Sequence, residues 1–74
     1  MSIEIELFGQ LLPGTQRHQM LNVERSVSVQ EVAQILGLKL EEVGLITIDG
    51  AQSEKEDAVK PGSRLCFFPP MSGG

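Results

Sequence analysis

The sequence predicts an α+β domain in which one helix lies across a mixed β-sheet. Three observations carry that expectation. Ile3, Ile5 and Leu7 alternate with Glu4, Glu6 and Phe8, the period of a strand with one face buried and one wet. Ser28-Val29-Gln30-Glu31 has the residues of a capping box, and Val29, Val32, Ala33, Ile35 and Leu36 follow at helical spacing. Two later runs, Leu45–Ile48 and Arg64–Phe68, are rich in β-branched or aromatic residues.

Taken in order, the first strand gives way at Gly9, and Pro13-Gly14 marks a turn. The run from His18 to Glu24 pairs back as a hairpin, with Leu21 and Val23 facing inward. At Ser28 the hydroxyl can accept from the Glu31 amide while the Glu31 carboxylate accepts from the Ser28 amide. Gln30, Glu31 and Gln34 form the wet face of the helix, and Gly37 sits where a left-handed residue ends it. So short a helix is held by packing rather than by propensity. Leu45–Ile48 is closed by the tight-turn pair Asp49-Gly50. Residues 51–60 are polar and fit either a short strand or a helical turn. Pro61-Gly62 is a further turn, and the last strand puts Leu65 and Phe67 on its inner face. Pro69-Pro70 stops that strand, because proline cannot donate to a ladder. A hairpin, a helix and a second strand pair make one layer of each kind, joined by a crossover expected to be right-handed.

Composition narrows the function. With 74 residues the chain is one small domain, able to bury roughly 60% of its unfolded surface. A hydrophobic share of 41% against 22% charged residues argues against disorder. The net charge of −4 argues against a nucleic-acid partner, which needs clustered cations. Three Phe without Trp or Tyr leave little for base stacking. A single cysteine, Cys66, and a single histidine, His18, make neither a disulfide framework nor a metal site. The alternating start lacks the basic and then apolar pattern of a signal peptide, and no run is long enough for a membrane span. A cytoplasmic protein without membrane partners is therefore expected, and a free cysteine suits that reducing compartment. No hydrolase triad, Cys/His pair close in sequence or glycine-rich phosphate loop is present.

The informative segment is the end, Phe67-Phe68-Pro69-Pro70-Met71-Ser72-Gly73-Gly74. Two prolines stiffen the backbone and project it from the sheet. Gly73 and Gly74 lack Cβ, so a narrow channel can admit them. The terminal carboxylate, with a reference pKa of roughly 3.5, is ionised at neutral pH. Positioned by a partner enzyme, it can attack the α-phosphorus of ATP, and the acyl-adenylate is then open to sulfur or nitrogen nucleophiles. A stiff stalk, a slim tip and a reactive carboxylate are what an acyl carrier needs. The bland alternatives are a frayed terminus or an expression scar.

The stretch from Asp57 to Gly74 resembles the C-terminal signature of the MoaD/ThiS sulfur-carrier family. Its Pro-Pro-x-x-Gly-Gly ending is most similar to MoaD, the small subunits of molybdopterin synthase within that family. Ile5-Glu6-Leu7-Phe8-Gly9 and Ser28-Val29 also sit where the family has them, so the likeness spans the chain. Ser63, Asp49 and Met71 depart from the family's commoner residues, and none touches the diglycine. The resemblance implies a ubiquitin-like β-grasp over residues 1–70 and a flexible tail over 71–74. It implies that an adenylating, ubiquitin-activating-like enzyme uses ATP on Gly74, and that a persulfide from a cysteine desulfurase or rhodanese converts the adenylate to a thiocarboxylate. The tail then enters a large subunit, where the sulfur goes to a pyranopterin precursor of the molybdenum cofactor. On this reading Gly74, preceded by Gly73, is the reactive end, and the carrier binds no cofactor or metal. A carrier for thiamine or another thioacid-dependent pathway, a ubiquitin-like modifier of lysines, and an inert interaction module are the alternatives.

Phe8 and Phe68 fall on the outer face of their strands, beside Pro69, Pro70, Met71 and Ser72. As an exposed aromatic pair they suit docking of the activating enzyme and the large subunit, or else they cover a sheet edge. Cys66 alternates away from Leu65 and Phe67 toward the outer face, with Arg64 as the one nearby cation. It is a candidate persulfide carrier or a passive small side chain. Glu4 and Glu6 read as a solvated strand face, and His18 as a loop residue.

Overall fold

The computed structural model describes residues 1–71. Strand β1 (Ser2–Leu7) pairs antiparallel with β2 (His18–Asn22), as the alternation predicts. The chain then passes through β3 (Val27–Ser28) into helix α1 (Val29–Leu36). A 3₁₀ turn at Leu40–Glu42 leads to β4 (Leu45–Ile48), β5 (Ala51–Gln52), β6 (Ala58–Val59) and β7 (Arg64–Phe68). The main sheet has the order β2-β1-β7-β4-β5, with β1 and β7 parallel at its centre and the other pairs antiparallel. The mixed sheet expected from the sequence is therefore present.

The register explains the core. Leu21 lies opposite Ile3; Leu65 lies between Ile5 and Ile48; Phe67 lies between Leu7 and Ile46. These inward rows meet Val29, Val32 and Ala33 of α1, with Leu11, Val23, Leu38 and Val59 closing the edges. Leu21 packs against this cluster and Val23 is buried within it, as expected. Ile35, read from spacing as part of the apolar helix face, is instead 61% exposed. An eight-residue helix offers a narrow stripe, and Val29, Val32 and Ala33 fill it.

Both helix ends are capped. At the N-terminus the capping box forms: Glu31 N donates to Ser28 Oγ at 3.0 Å and Ser28 N to Glu31 Oε1 at 2.9 Å. The amides of Val29 and Gln30 donate to the carbonyls of Asp57 and Lys55, both at 3.0 Å. Donors that a helix start leaves without internal partners are thus satisfied by the polar segment 51–60. That segment holds two short strands rather than a helical turn; β6 pairs antiparallel with β3, Val27 opposite Val59. At the other end Gly37 is left-handed (φ 82°), and Leu38 N donates to Ala33 O at 2.8 Å. Leu38 is buried as it turns back, the arrangement of a Schellman cap.

Asp49 and Gly50 both take positive φ, 51° and 85°, the two-residue turn that matches the twist of a hairpin. Asp49 also fastens this turn to the sheet centre. Its amide donates to Arg64 O, and the Arg64 amide donates to Asp49 Oδ1, each at 2.8 Å.

Candidate functional site

The end of β7 is where the sequence-predicted residues converge. Phe8, just past β1, stacks on Phe68, with ring centroids 4.4 Å apart and planes 8° from parallel. Both rings are half-buried, so the pair is a packed aromatic block rather than two free aromatics. Such a stack adds about 0.5–1.5 kcal/mol beyond simple burial. Phe8 N donates to Phe67 O at 3.0 Å, which carries the β1–β7 pairing one residue past the strand.

Pro69 and Pro70 leave the strand between two glycines. A Cβ built on Gly9 would stand 2.6 Å from Pro69 Cγ. One built on Gly44 would stand 2.5 Å from Pro70 Cα and 2.9 Å from Pro69 O. Gly44 N also donates to Phe68 O at 2.8 Å, extending the β4–β7 ladder to the last strand residue. Gly44, Leu45, Phe68, Pro69, Pro70 and Met71 line an open groove of about 530 Å³, mostly apolar. Met71 is 88% exposed and Leu45 is 38% exposed. Phe8, Phe68, Pro69, Pro70 and Met71 are thus brought together at one end of the sheet. Ser72, Gly73 and Gly74 lie outside the described residues.

Sequence reasoning missed Gly44, Leu45 and Arg17. Gly44 stands directly before a strand, and nothing local in the sequence links it to Pro70. Arg17 holds the loop that carries Gly9. Its guanidinium donates to Gly9 O at 3.0 Å, Leu12 O at 2.6 Å and Thr15 O at 3.2 Å. This threefold clamp accommodates Leu12 at a positive φ of 50°. Nothing in the spacing around Arg17 announces it, because all its acceptors are backbone carbonyls.

The outer face changes character away from the aromatics. His18 Nε2 lies 2.6 Å from Glu4 Oε2, Arg64 Nε lies 3.8 Å from the same oxygen, and Arg64 also pairs with Glu6. The hydrogen bond to Glu6 is the main influence raising the Arg64 pKa above its usual value. Arg64 is accordingly a fixed positive charge at any working pH. Glu4 and Glu6 are on the solvated face as expected, but tied into a network. His18 is not a loop residue; it begins β2 opposite Glu6, where a partly exposed ring can reach diagonally to Glu4.

Cys66 does point away from Leu65 and Phe67, yet it is only 4% exposed. It lies on a central strand between Glu6 and Thr47, and longer neighbours shade so small a side chain. That burial fits the passive reading and not an accessible persulfide carrier. Among the described residues no group of three or more His, Cys, Asp or Glu side chains could hold a metal ion. No helix among them is long and apolar enough to cross a membrane.

The ThiS family model matches residues 5–74. No curated protein matches the chain by sequence. Among solved structures, SAMP1 from Haloferax volcanii superposes with a TM-score of 0.77 at 22% identity, covering 100% of both chains. Urm1 from Trypanosoma brucei gives 0.73 at 15% identity, covering 99% of this chain and 95% of that one. The complex of subunits 1 and 2 of molybdopterin-converting factor from Helicobacter pylori 26695 gives 0.64 at 24% identity, covering 100% of both chains. These likenesses establish the fold as the ubiquitin-like β-grasp.

Proposed function

The chain belongs to the ThiS family of ubiquitin-like sulfur carriers, and we propose that it carries its sulfur as a thiocarboxylate on Gly74 for molybdopterin synthesis. The observation that carries this reading is the exit of the chain from the sheet. β7 runs directly into Pro69-Pro70, which is packed against two glycines, and the sequence beyond is Met71-Ser72-Gly73-Gly74. A rigid base followed by a tip without side chains suits insertion into a narrow partner site.

The chemistry belongs to partners and uses one group of this chain. A Gly74 carboxylate oxygen attacks the α-phosphorus of ATP on an adenylating enzyme, and pyrophosphate leaves. The terminal sulfur of a cysteine persulfide attacks the acyl carbon, and AMP leaves. A second thiol cleaves the resulting acyl disulfide, which frees the thiocarboxylate and oxidises the two thiols to a disulfide. A large subunit then receives the tail; the thiocarboxylate sulfur displaces an oxygen leaving group from a carbon of a pyranopterin precursor, and water cleaves the resulting thioester, which leaves the sulfur on the precursor and returns the Gly74 carboxylate. The Phe8–Phe68 block, Leu45 and Met71 offer both partners an apolar docking edge beside the tail. The Pro-Pro-x-x-Gly-Gly ending supports the molybdopterin assignment, as does the likeness to a chain of the Helicobacter molybdopterin-converting factor complex. The family match itself favours a second reading, a carrier for thiamine or another thioacid-dependent pathway.

The test is an intact mass of the protein from its native host, then of a variant lacking Gly74. A sulfur-for-oxygen exchange mapped to Gly74 is expected, absent from the shortened chain, whose melting temperature stays unchanged. Sulfur transfer by the shortened chain would refute the reading. Branched Gly-Gly remnants on lysines, without any thiocarboxylate, would point to a protein modifier instead. Complementation of a host lacking its molybdopterin carrier, set beside one lacking its thiamine carrier, separates the two pathways.

A further inference from the structure

We propose that Gly9 and Gly44 form a seat that fixes the direction in which the tail leaves the domain, and so act as positioning residues for the chemistry at its end. The inference rests on the sulfur-carrier reading for its consequence, and on geometry alone for the seat. The two glycines come from opposite sides of β7. Gly9 follows β1 and Gly44 precedes β4, the two strands that flank β7 in the sheet. A Cβ at Gly9 would meet the Pro69 ring, at 2.6 Å from Cγ and 3.2 Å from Cδ. A Cβ at Gly44 would meet backbone, at 2.5 Å from Pro70 Cα and 2.8 Å from Pro70 N.

The remaining described glycines, Gly14, Gly37, Gly50 and Gly62, have nothing within 4 Å of an added Cβ. They serve turns through their positive φ, a conformation Gly9 shares at 65°. Gly44 has no such φ to explain it, so close approach is its physical rationale. Both sides of the seat are anchored. Arg17 holds Gly9 through its carbonyl at 3.0 Å, and Gly44 holds Phe68 through its amide at 2.8 Å. Proline locks its own φ, so seating two prolines in succession sets the heading of the chain beyond them. The sheet is complete by Phe68 without the seat. What the seat adds is aim: it sets the heading at which the chain leaves Pro70.

Gly44→Ala is the sharpest probe, because the clash is with backbone and no rotamer change relieves it. The variant is expected to keep its amide dispersion and melt cooperatively. Its nuclear Overhauser contacts between residue 44 and Pro70 should be lost or weakened. With the host's adenylating enzyme, measured by ATP–pyrophosphate exchange, kcat should fall by about 10- to 100-fold. KM, set mainly by the Phe8–Phe68 part of the docking edge, should move less than kcat. A second measurement guards against a general folding defect. Gly9→Ala should cost less in a Pro69→Ala background than alone, because removing Cγ and Cδ relieves its clash.

Unchanged kcat in a folded Gly44→Ala protein would overturn the proposal, as would strict additivity of Gly9→Ala and Pro69→Ala. If the wild-type chain itself supported no exchange, the sulfur-carrier reading would fall, and the nuclear Overhauser arm would still decide the seat.

Discussion

On the inner face of the sheet Ile3, Ile5, Leu7, Leu65 and Phe67 are shut from water. On the outer face the same strands set Glu4, Glu6, His18 and Arg64 at one side, and Phe8, Phe68 and Leu45 near the tail. The inner face is uniform because every residue on it answers to one demand, removal of apolar surface from water. The outer face is mixed: Glu4, Glu6, His18 and Arg64 form a charged network beside the exposed Met20, and Phe8, Phe68 and Leu45 lie near the exit of the tail. The contrast teaches that one set of strands can build the fold with one side and leave the other free to carry separate charged and aromatic clusters. Phe67 and Phe68 are the clearest case: chemically identical neighbours, one wholly buried in the core and one half-buried in the aromatic block.

That pair gives the largest expected effect. Phe67→Ala should cost about 3–5 kcal/mol, against a total of about 4–11 kcal/mol for a domain this size. Loss of a cooperative melting transition, or a midpoint shifted far down in urea, would bear this out. A loss below about 1 kcal/mol would erase the distinction between the faces.

Phe68→Ala should be milder, at about 1–2 kcal/mol, because the ring is half-buried and its loss ends one stack. Its larger effect should be on partners. Calorimetry with the adenylating enzyme should show affinity weakened by roughly tenfold or more, as for an aromatic anchor. Unchanged affinity would move the docking edge elsewhere.

The smallest effect belongs to the charged side. Glu4→Gln removes the partner of a half-exposed His18, and exposed ion pairs contribute little. The melting temperature should shift by no more than about 3 °C. Affinity for the adenylating enzyme should be unchanged at moderate salt. A strong loss of affinity would show that recognition extends across the whole outer face.

Much of this was legible in the residues. Alternation in Ile3-Glu4-Ile5-Glu6-Leu7, the Ser28–Glu31 box, Gly37, Asp49-Gly50 and the Arg64–Phe68 run each express a local physical preference, and each became the element it suggested. What escaped the sequence depends on distant partners. The strands β3 and β6 have two residues each and exist because they pair with one another. Ile35 fits the helical period but finds no sheet beneath it. Cys66 has the correct face but is shaded by strands on both sides. The aromatic and proline part of the site was legible from composition. Gly44 was not, because its meaning lies in Pro70, which is close only after the sheet forms.

The parallel pairing of β1 with β7 also has a consequence for how the molecule is born. The first and last strands of the domain are neighbours at the middle of the sheet. As a ribosome synthesises the chain, Ile5 and Leu7 emerge early and must wait for Leu65 and Phe67. Contacts of such long sequence separation make the final closure late and comparatively slow. A product cut before Arg64 leaves β1 with an open edge and the helix without most of its floor. The domain therefore gains its shape only after β7 has been made. Chains released before β7 lack the centre of the main sheet.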